Sequence, residues 1–322
     1  MIKIEHLVKN YGTTCAVDDI SFSVEEGEIV GLLGPNGAGK STAMNILTGY
    51  LSATSGVATV NGVDMLENPI EAKRNIGFLP EQPPLYPEMT VMEYLNFVYE
   101  LKGCQLDREE HLSEILSVVR LGDVKKRLIK NLSKGYRQRV GIAQALVGDP
   151  KVIIFDEPTV GLDPKQILEV RNLLRSLGKK HTVILSTHIL SEVQAVCERV
   201  IIINKGRIIA NERTEDITKT IEDGYRYEVK ISGPQKDVES ALGKIHGVRT
   251  ATATGMRDAD AYAYVIESER GIDVRKPIFN LCAQHSWPIL GLMPVGTDLE
   301  SIFINLVDRA DGVRDTAKRK RR

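Results

Sequence analysis

The sequence predicts an α/β protein in which a large domain with a mixed β-sheet precedes a small α+β domain. Between residues 152 and 203, short apolar runs alternate with helical patterns, as expected of a parallel sheet that helices cover on both faces. Nearer the start, the Asn61-Gly62 pair after a strand pattern indicates an antiparallel hairpin, because these residues tolerate the positive φ angles of tight turns. A length of 322 residues fits one large and one small domain, since domains usually have about 100–200 residues.

The first domain is placed at residues 1–223, with a helical subdomain at about 83–148. Capping patterns at Thr90/Glu93 and Asp107/Glu110 predict the starts of two helices in that subdomain. Apolar periodicity predicts the strands Ile2–Leu7, Ile20–Val24, Ile29–Leu33, Val57–Val60, Val152–Phe155, Thr182–Ser186 and Arg199–Ile203. It predicts the helices Val91–Leu101, His111–Val119, Pro164–Leu177 and Ile189–Val196.

The second domain is placed at residues 224–310, after a polar linking stretch at 214–223. Its predicted elements run strand, helix, strand, strand, helix, strand, an order that suggests a small ferredoxin-like domain. A further helix, Asp298–Val307, would begin at a Thr297/Glu300 capping box. No motif here carries chemistry, and the aromatic residues at strand spacing are interpreted as core: Tyr225, Tyr227, Tyr262, Tyr264 and Trp287.

A formal net charge of -1 gives no sign of a nucleic-acid partner. The one basic run, Lys318–Arg322, lies in a tail at 311–322 that we expect to be a solvated, disordered end. A weak electrostatic attraction to phospholipid headgroups is the alternative interpretation of this run.

The four cysteines are far apart and lack metal-ligand spacing, so they indicate reduced thiols in a cytosolic protein. The first residues have none of the features of a signal peptide. No apolar run approaches the length of about 18 residues that a membrane helix needs. If the protein moves a molecule across a membrane, another chain would therefore supply the path.

A glycine-rich loop follows the apolar strand that ends at Leu33 and precedes a helical pattern. Its glycines allow the backbone to wrap closely around a phosphate, so that the backbone N–H groups point at it. The positive end of the following helix also attracts this anion. In this P-loop pattern Lys40 would reach the β- and γ-phosphates, and Ser41 would bind Mg²⁺. An ordinary glycine-rich turn is the alternative. The nucleotide-binding residues are Gly34, Asn36, Gly37, Ala38, Gly39, Lys40, Ser41 and Thr42.

Two acidic residues, Asp156 and Glu157, end the apolar run that starts at Val152. Carboxylates are costly at the end of a buried strand unless a cation is near, and the P-loop makes Mg²⁺ the obvious candidate. Asp156 is therefore predicted to hold the metal, and Glu157 to polarise the attacking water as general base. Solvated acids at a strand end are the alternative.

With these motifs in this order, residues 1–215 resemble the nucleotide-binding domains of the ABC family. The run from Leu132 to Arg139 resembles the family's signature, usually Leu-Ser-Gly-Gly-Gln, with Lys134 and Tyr136 as departures. Ser133 also has the residue type of a helix N-cap. The resemblance implies that Ser133, Lys134 and Gly135 meet the ATP held by a partner subunit.

Four further residues are assigned by the resemblance. Gln82 matches the glutamine that senses Mg²⁺ and the lytic water beside the groove where a permease docks. His188 matches the switch histidine at the γ-phosphate, and Tyr11 matches the aromatic residue that stacks on adenine. Asp163 matches the D-loop aspartate that communicates across the dimer. The alternative for His188 is a capping or surface residue, and the alternative for Tyr11 is a core tyrosine.

The resemblance implies a P-loop NTPase fold of the ABC type that uses ATP and Mg²⁺. It implies a homodimer, or a pair of nucleotide-binding subunits, with ATP sandwiched between them, docked on an integral membrane permease. The chain would be cytoplasmic and peripheral on the inner face of the cell membrane.

Two other classes of ABC ATPase are the alternatives. Long coiled coils would indicate a chromosome or DNA-repair ATPase, and two tandem sets of site motifs would indicate a ribosome-associated ATPase, but the sequence has neither. The form of the signature and the appended C-terminal domain resemble subunits of bacterial ABC-2 type exporters, notably gliding-motility-associated ones.

Overall fold

The computed structural model describes residues 1–216, 226–258, 261–269 and 271–294. The chain divides into two compact units, Met1–Thr214 and Glu215–Arg322. Each unit has its own sheets and its own buried core, and each is described separately below.

A six-stranded sheet forms the centre of the first unit, in the order β10-β9-β3-β8-β7-β6. All neighbouring strands are parallel except β10, which runs antiparallel to β9. Every residue of β3, β7 and β8 is buried, as the continuous apolar runs predicted. The strands are β3 (Ile29–Leu33), β6 (Ile76–Leu79), β7 (Val152–Asp156), β8 (Thr182–Thr187), β9 (Arg199–Asn204) and β10 (Arg207–Arg213).

The first unit also contains a four-stranded antiparallel sheet, in the order β2-β1-β4-β5. Asn61 and Gly62 have φ angles of 54° and 79°, so the predicted hairpin turn between β4 and β5 is confirmed. Alternate apolar residues of this sheet share one core with α1, including Ile4, Phe22 and Met44. The strands are β1 (Ile2–Tyr11), β2 (Thr14–Val24), β4 (Ser55–Val60) and β5 (Val63–Asp64), and α1 is Lys40–Leu47.

Helices α3 to α5 lie between β6 and β7 in the sequence. The capping box of Thr90 and Glu93 is present at the start of α3, and Asp107 accepts a hydrogen bond from the amide of Glu110 at the start of α4. Because Asp107 is the N-cap, α4 begins at Arg108 and not at the predicted His111. The helices of this unit are α2 (Pro69–Arg74), α3 (Val91–Leu101), α4 (Arg108–Val118), α5 (Lys134–Leu146), α6 (Pro164–Leu177) and α7 (Leu190–Val196).

In its described residues, the second unit contains an antiparallel sheet in the order β12-β13-β11-β14, with two helices. This order is that of a ferredoxin-like βαββαβ fold. Tyr227 and Tyr264 are buried in its core, and Tyr262 and Trp287 pack against that core while half-buried. The elements are β11 (Arg226–Ser232), α8 (Gln235–Leu242), β12 (Val248–Asp258), β13 (Ala261–Ser268), α9 (Arg275–Gln284) and β14 (Ile289–Pro294).

The predicted α/β fold, with its mixed sheet, antiparallel sheet and helical segment, is confirmed. Several predictions fall outside the described residues: Tyr225, most of the linking stretch at 214–223, the helix Asp298–Val307 with its capping box, and the tail at 311–322.

Candidate nucleotide site

The carboxyl ends of three parallel strands bring distant sequence segments to one edge of the central sheet. Leu33 of β3 lies beside Thr187 of β8, and Asp156 of β7 lies beside Ser186. The segments that follow these strands are the glycine-rich loop, the Glu157 loop and the His188 loop. Sites in open α/β sheets commonly form at this edge.

The loop at 34–39 has a conformation that depends on glycine. Gly37 and Gly39 have φ angles of 76° and 106°, a region that side-chain-bearing residues rarely adopt. A Cβ at Gly34 would collide with the carbonyl of Ile203, and one at Gly39 with the carbonyl of Ala16. No side chain caps the start of α1 at Gly39. The first N–H groups of that helix are therefore available to an anion.

Lys40 is buried inside this loop, with 6% of its surface exposed. Its Nζ donates hydrogen bonds to the carbonyl oxygens of Gly34, at 2.8 Å, and Pro35, at 3.3 Å. It also lies 3.8 Å from Oε1 of Glu157. Burial lowers the pKa of Lys40, while the carboxylates of Glu157 and Asp156 act in the opposite direction. The side chain is a buried cation held at the centre of the loop.

Asp156 and Ser186, side by side at the strand ends, both have unsatisfied polar atoms. Oδ1 of Asp156 and Oγ of Ser186 are buried and have no hydrogen-bond partner. An unpartnered buried carboxylate oxygen is costly unless a cation binds it. With Ser41 at the start of α1, the residues present fit Mg²⁺, which usually takes one or two carboxylates and completes its shell with water and phosphate.

Glu157 has a φ angle of 49°, unusual for a residue with a side chain. Its amide donates a hydrogen bond to the carbonyl of Ser186 at 2.9 Å, which attaches the loop to β8. Nδ1 of His188 lies 3.0 Å from both carboxylate oxygens of Glu157. This contact is a hydrogen bond when Nδ1 carries the proton. The structure thus places the Glu157 carboxylate between Lys40 and His188.

A buried carboxylate that the sequence reasoning missed lies behind this pair. Glu192, on α7, is 1% exposed and accepts hydrogen bonds from the hydroxyls of Thr159 and Thr187. In the sequence it has only the pattern of an acidic residue in the first turn of a helix, which usually complements the helix dipole. Nothing in the local pattern indicates that it is buried.

Gln82 and Tyr11 are also predicted for this site. Gln82 is exposed and follows β6, the strand that pairs with β7. Tyr11 ends β1 and is 46% exposed, with its ring 5.4 Å from Nζ of Lys9.

The signature-like residues form a second cluster with the loop before α6. Ser133 caps α5, and its Oγ accepts a hydrogen bond from the amide of Tyr136 at 3.4 Å. Gly135 packs so closely on Gln166 that a Cβ would collide with it, and a Cβ at Gly161 would likewise collide with Nζ of Lys134. Asp163 caps α6 and accepts from the amide of Gln166 at 2.9 Å. Lys134, which differs from the usual residue of the family signature, therefore contacts the same loop that carries Asp163.

This phosphate-type loop, its buried lysine and the paired carboxylates at the edge of a parallel sheet define the class of P-loop NTPases. The sequence model of the ABC transporter family matches residues 17–160. Over 321 residues the chain is 33% identical to the linearmycin resistance ATP-binding protein LnrL of Bacillus subtilis, covering 96% of this chain and 99% of that protein. It is 42% identical over 209 residues to the uncharacterized ABC transporter ATP-binding protein YxlF of the same organism, with coverages of 65% and 69%.

Solved structures give the same result. The ATP-binding subunit of an ABC transporter matches with a TM-score of 0.63 and 31% identity over 68% of this chain and 92% of that one. A dimeric ATP-binding cassette bound to ADP and Pi in a post-hydrolysis state matches with a TM-score of 0.61 and 28% identity, over 66% and 99%. The chain belongs to the ABC transporter ATP-binding family.

It is accordingly an ATP-binding subunit of an ABC transporter, and its reaction is ATP hydrolysis. Subunits of this kind form dimeric cassettes and work with membrane permease components. Among the helices of the described residues, none has the length and apolar character needed to cross a membrane.

Proposed function

We propose that this chain is the motor of an exporter and that the Lys40–Glu157–His188 cluster performs its ATP hydrolysis. The observation that carries the proposal is the position of the Glu157 carboxylate, 3.8 Å from a buried lysine and 3.0 Å from an imidazole. A general base must be held in one orientation to accept a proton from one water molecule, and these two contacts hold the Glu157 carboxylate in this way. The backbone N–H groups of residues 36–42 hold the phosphates, and Lys40 exchanges its loop carbonyls for phosphate oxygens.

In this proposal Glu157 orients the attacking water and takes its proton onto a carboxylate oxygen. His188 holds that carboxylate in place through Nδ1 and adds positive polarity near the γ-phosphate. Asp156, with Ser41 and Gln82, holds Mg²⁺. When bound, this ion neutralises charge on the phosphate oxygens. Tyr11 offers an exposed ring face on which adenine stacks.

The signature cluster is assigned to the ATP of a partner subunit. Ser133, Lys134 and Gly135 lie at the start of α5, a helix end that favours anions, and they share no residue with the Lys40 site. Two copies, or this chain and a second nucleotide-binding subunit, would enclose two nucleotides. Asp163, which contacts the same cluster through Gln166, would communicate between the two subunits of the dimer. No nucleic-acid partner is proposed.

A groove of about 590 Å³ is proposed as the docking site of the permease. It adjoins the Gln82 segment, since Pro80 and Pro84 line it, and it also contains Phe78 and the 79% exposed Tyr50. Such apolar concave surfaces suit a short segment of a partner chain. This contact would place the chain on the cytoplasmic, inner face of the cell membrane.

The names of two related chains, which state what those proteins transport, support the export assignment. Relatives that are 38% and 36% identical are a bacitracin transport ATP-binding protein of Bacillus licheniformis and a lantibiotic transport ATP-binding protein of Streptococcus pyogenes. In an arrangement of this kind the permease, and not the ATPase, contacts the cargo.

The test is co-purification of the tagged Glu157→Gln chain, with ATP and Mg²⁺, from detergent-solubilised membranes of its native host. A multi-helix membrane protein should be recovered, and a Tyr50→Glu change should release it. A matched Phe279→Glu change, at another exposed apolar residue, should keep it. Recovery of only soluble or ribosomal partners, or equal recovery with Tyr50→Glu, would contradict the permease and groove assignments.

A further inference from the structure

Glu192 is the most deeply buried acidic residue in the part of the chain that the structure describes. It lies on α7, four residues beyond His188 in the sequence. Burying a carboxylate has a large desolvation cost, and an apolar residue would pack α7 against the sheet without it. A buried carboxylate at this position therefore calls for an explanation beyond packing.

Its two oxygens hold two different loops. Oε2 accepts a hydrogen bond from Oγ1 of Thr187 at 2.9 Å, and Oε1 accepts one from Oγ1 of Thr159. Thr187 directly precedes His188, and Thr159 lies two residues beyond Glu157. Both threonines are buried, at 0% and 4% exposure. A hydroxyl has a single proton to donate, so each threonine commits it to Glu192.

The Thr187 hydroxyl is fixed from a second side. The amide of Ile189 donates to its Oγ1 at 3.1 Å, so the turn that carries His188 is tied to Glu192 through one oxygen atom. On the other loop, the amide of Leu162 donates to the carbonyl of Thr159 at 3.2 Å, which extends the connection toward the D-loop. Glu192 therefore joins the backbone segments on both sides of the Glu157–His188 contact.

We propose that Glu192 is a positioning residue that sets the distance between Glu157 and His188. Its hydrogen bonds are to Thr159 and Thr187 and not to those two side chains, and it acts by fixing the two segments that carry them. The inference rests on the roles proposed above for those two residues. A carboxylate suits this task because its two oxygens accept from two separate donors at once in a dry environment, where hydrogen bonds are strong.

The test compares the ATPase activity and ATP affinity of full-length Glu192→Gln and Glu192→Ala chains. Gln retains the size and can both accept from one hydroxyl and donate to the other, so we expect it to keep at least about a third of the wild-type kcat. Ala should lower kcat by about tenfold or more, because small misplacements of reacting groups are costly. The ATP affinity should stay within about threefold of wild type in both variants, since the hydrogen bonds of Glu192 go to Thr159 and Thr187 and not to the phosphate loop. Gln194→Ala, exposed on the same helix, is the matched control.

Thr187→Val and Thr159→Val provide variants of nearly unchanged volume in case Glu192→Ala does not fold. Each should lower kcat by about threefold or more with little change in ATP affinity. In a His188→Ala background, adding Glu192→Ala should lower kcat by less than about threefold, because the contact it maintains is already lost.

Three results would overturn the proposal: wild-type kcat in Glu192→Ala, an equal loss in Glu192→Gln and Glu192→Ala, or the same loss with and without His188. Failure of the general-base assignment would show separately, as full turnover in Glu157→Gln. Full turnover in Glu192→Ala while Glu157→Gln is inactive would remove only the positioning role.

Discussion

Glu157 combines a left-handed backbone conformation with a buried carboxylate, two features that are each costly for a residue of its type. The backbone is held by its bond to Ser186, and the carboxylate is compensated by Lys40 and His188. Strain and burial at one residue are typical of functional positions, where the surrounding fold over-determines the conformation.

Replacing Glu157 with Gln should separate binding from turnover. The amide keeps the shape but cannot take a proton, so kcat should fall by about 100-fold or more while ATP affinity stays within about threefold. Steady-state phosphate release and nucleotide titration measure the two quantities. Glu109→Gln, an exposed change on α4, is the control. Wild-type turnover in Glu157→Gln would exclude this residue as the base.

Lys40→Ala should act on binding itself. The ammonium is the buried cation of the phosphate loop, and charge-assisted hydrogen bonds contribute about 1.5–3 kcal/mol, so ATP affinity should fall by about tenfold or more. Isothermal titration with ATP and Mg²⁺ checks this result. Lys179→Ala, at an exposed lysine, should bind like wild type. Unchanged affinity in Lys40→Ala would contradict the phosphate-loop assignment.

At the scale of single elements, helix starts serve two purposes in this chain. α3 begins at a complete capping box, which satisfies its first N–H groups within the chain. α1 begins at Gly39 without any side-chain cap, inside the glycine-rich loop. The first helix start stabilises the fold, and the second leaves donors for a ligand.

The cap of α3 gives a stability prediction that is independent of the site. Thr90→Ala removes the hydroxyl that accepts from Glu93 and should lower the free energy of unfolding by about 1 kcal/mol. Thr90→Ser keeps the hydroxyl and should restore most of that loss. Urea unfolding measures the difference, and ATPase activity at 25 °C should be the same in all three chains. No difference in stability between Thr90→Ala and Thr90→Ser would show that the cap contributes little.

At the scale of the whole molecule, the first unit carries two separate clusters of the residues proposed for ATP hydrolysis. Lys40, Asp156, Glu157 and His188 lie at the edge of the central sheet, whereas Ser133 lies at the start of α5. A related cassette is known as a dimer with ADP and Pi. This division is what a composite site requires, in which each copy supplies one cluster to each nucleotide.

Composite sites predict that dimer formation needs Ser133 as well as ATP. In a Glu157→Gln background, ATP and Mg²⁺ should double the mass measured by light scattering. A second change, Ser133→Glu, should abolish the dimer through charge repulsion with the partner's phosphates, while ATP binding by the monomer persists. Ser117→Glu, at an exposed serine of α4, should leave the dimer intact. A dimer that survives Ser133→Glu would place the signature residues outside the interface.

The sequence by itself determined the features that local chemistry encodes. The Gly34–Thr42 loop after an apolar strand, the Asn61-Gly62 turn and the Thr90 cap each depend on residues close together in the chain, so their patterns could be read directly. The order of most strands and helices follows in the same way from apolar periodicity, whereas β6, β10 and α2 are not predicted from it. The cap predicted at Asp107 is confirmed, and it starts the helix at Arg108, three residues before the predicted helical run at His111.

Only the tertiary structure decided which of these segments meet. The sheet order places β8 between β3 and β7, and this insertion brings His188 to Glu157, residues that are 31 positions apart. The burial of Glu192 and the contact of Lys134 with Gly161 have no local signature for the same reason. Such contacts depend on strand order and on packing between distant segments, which are collective properties of the folded chain and not of any window of its sequence.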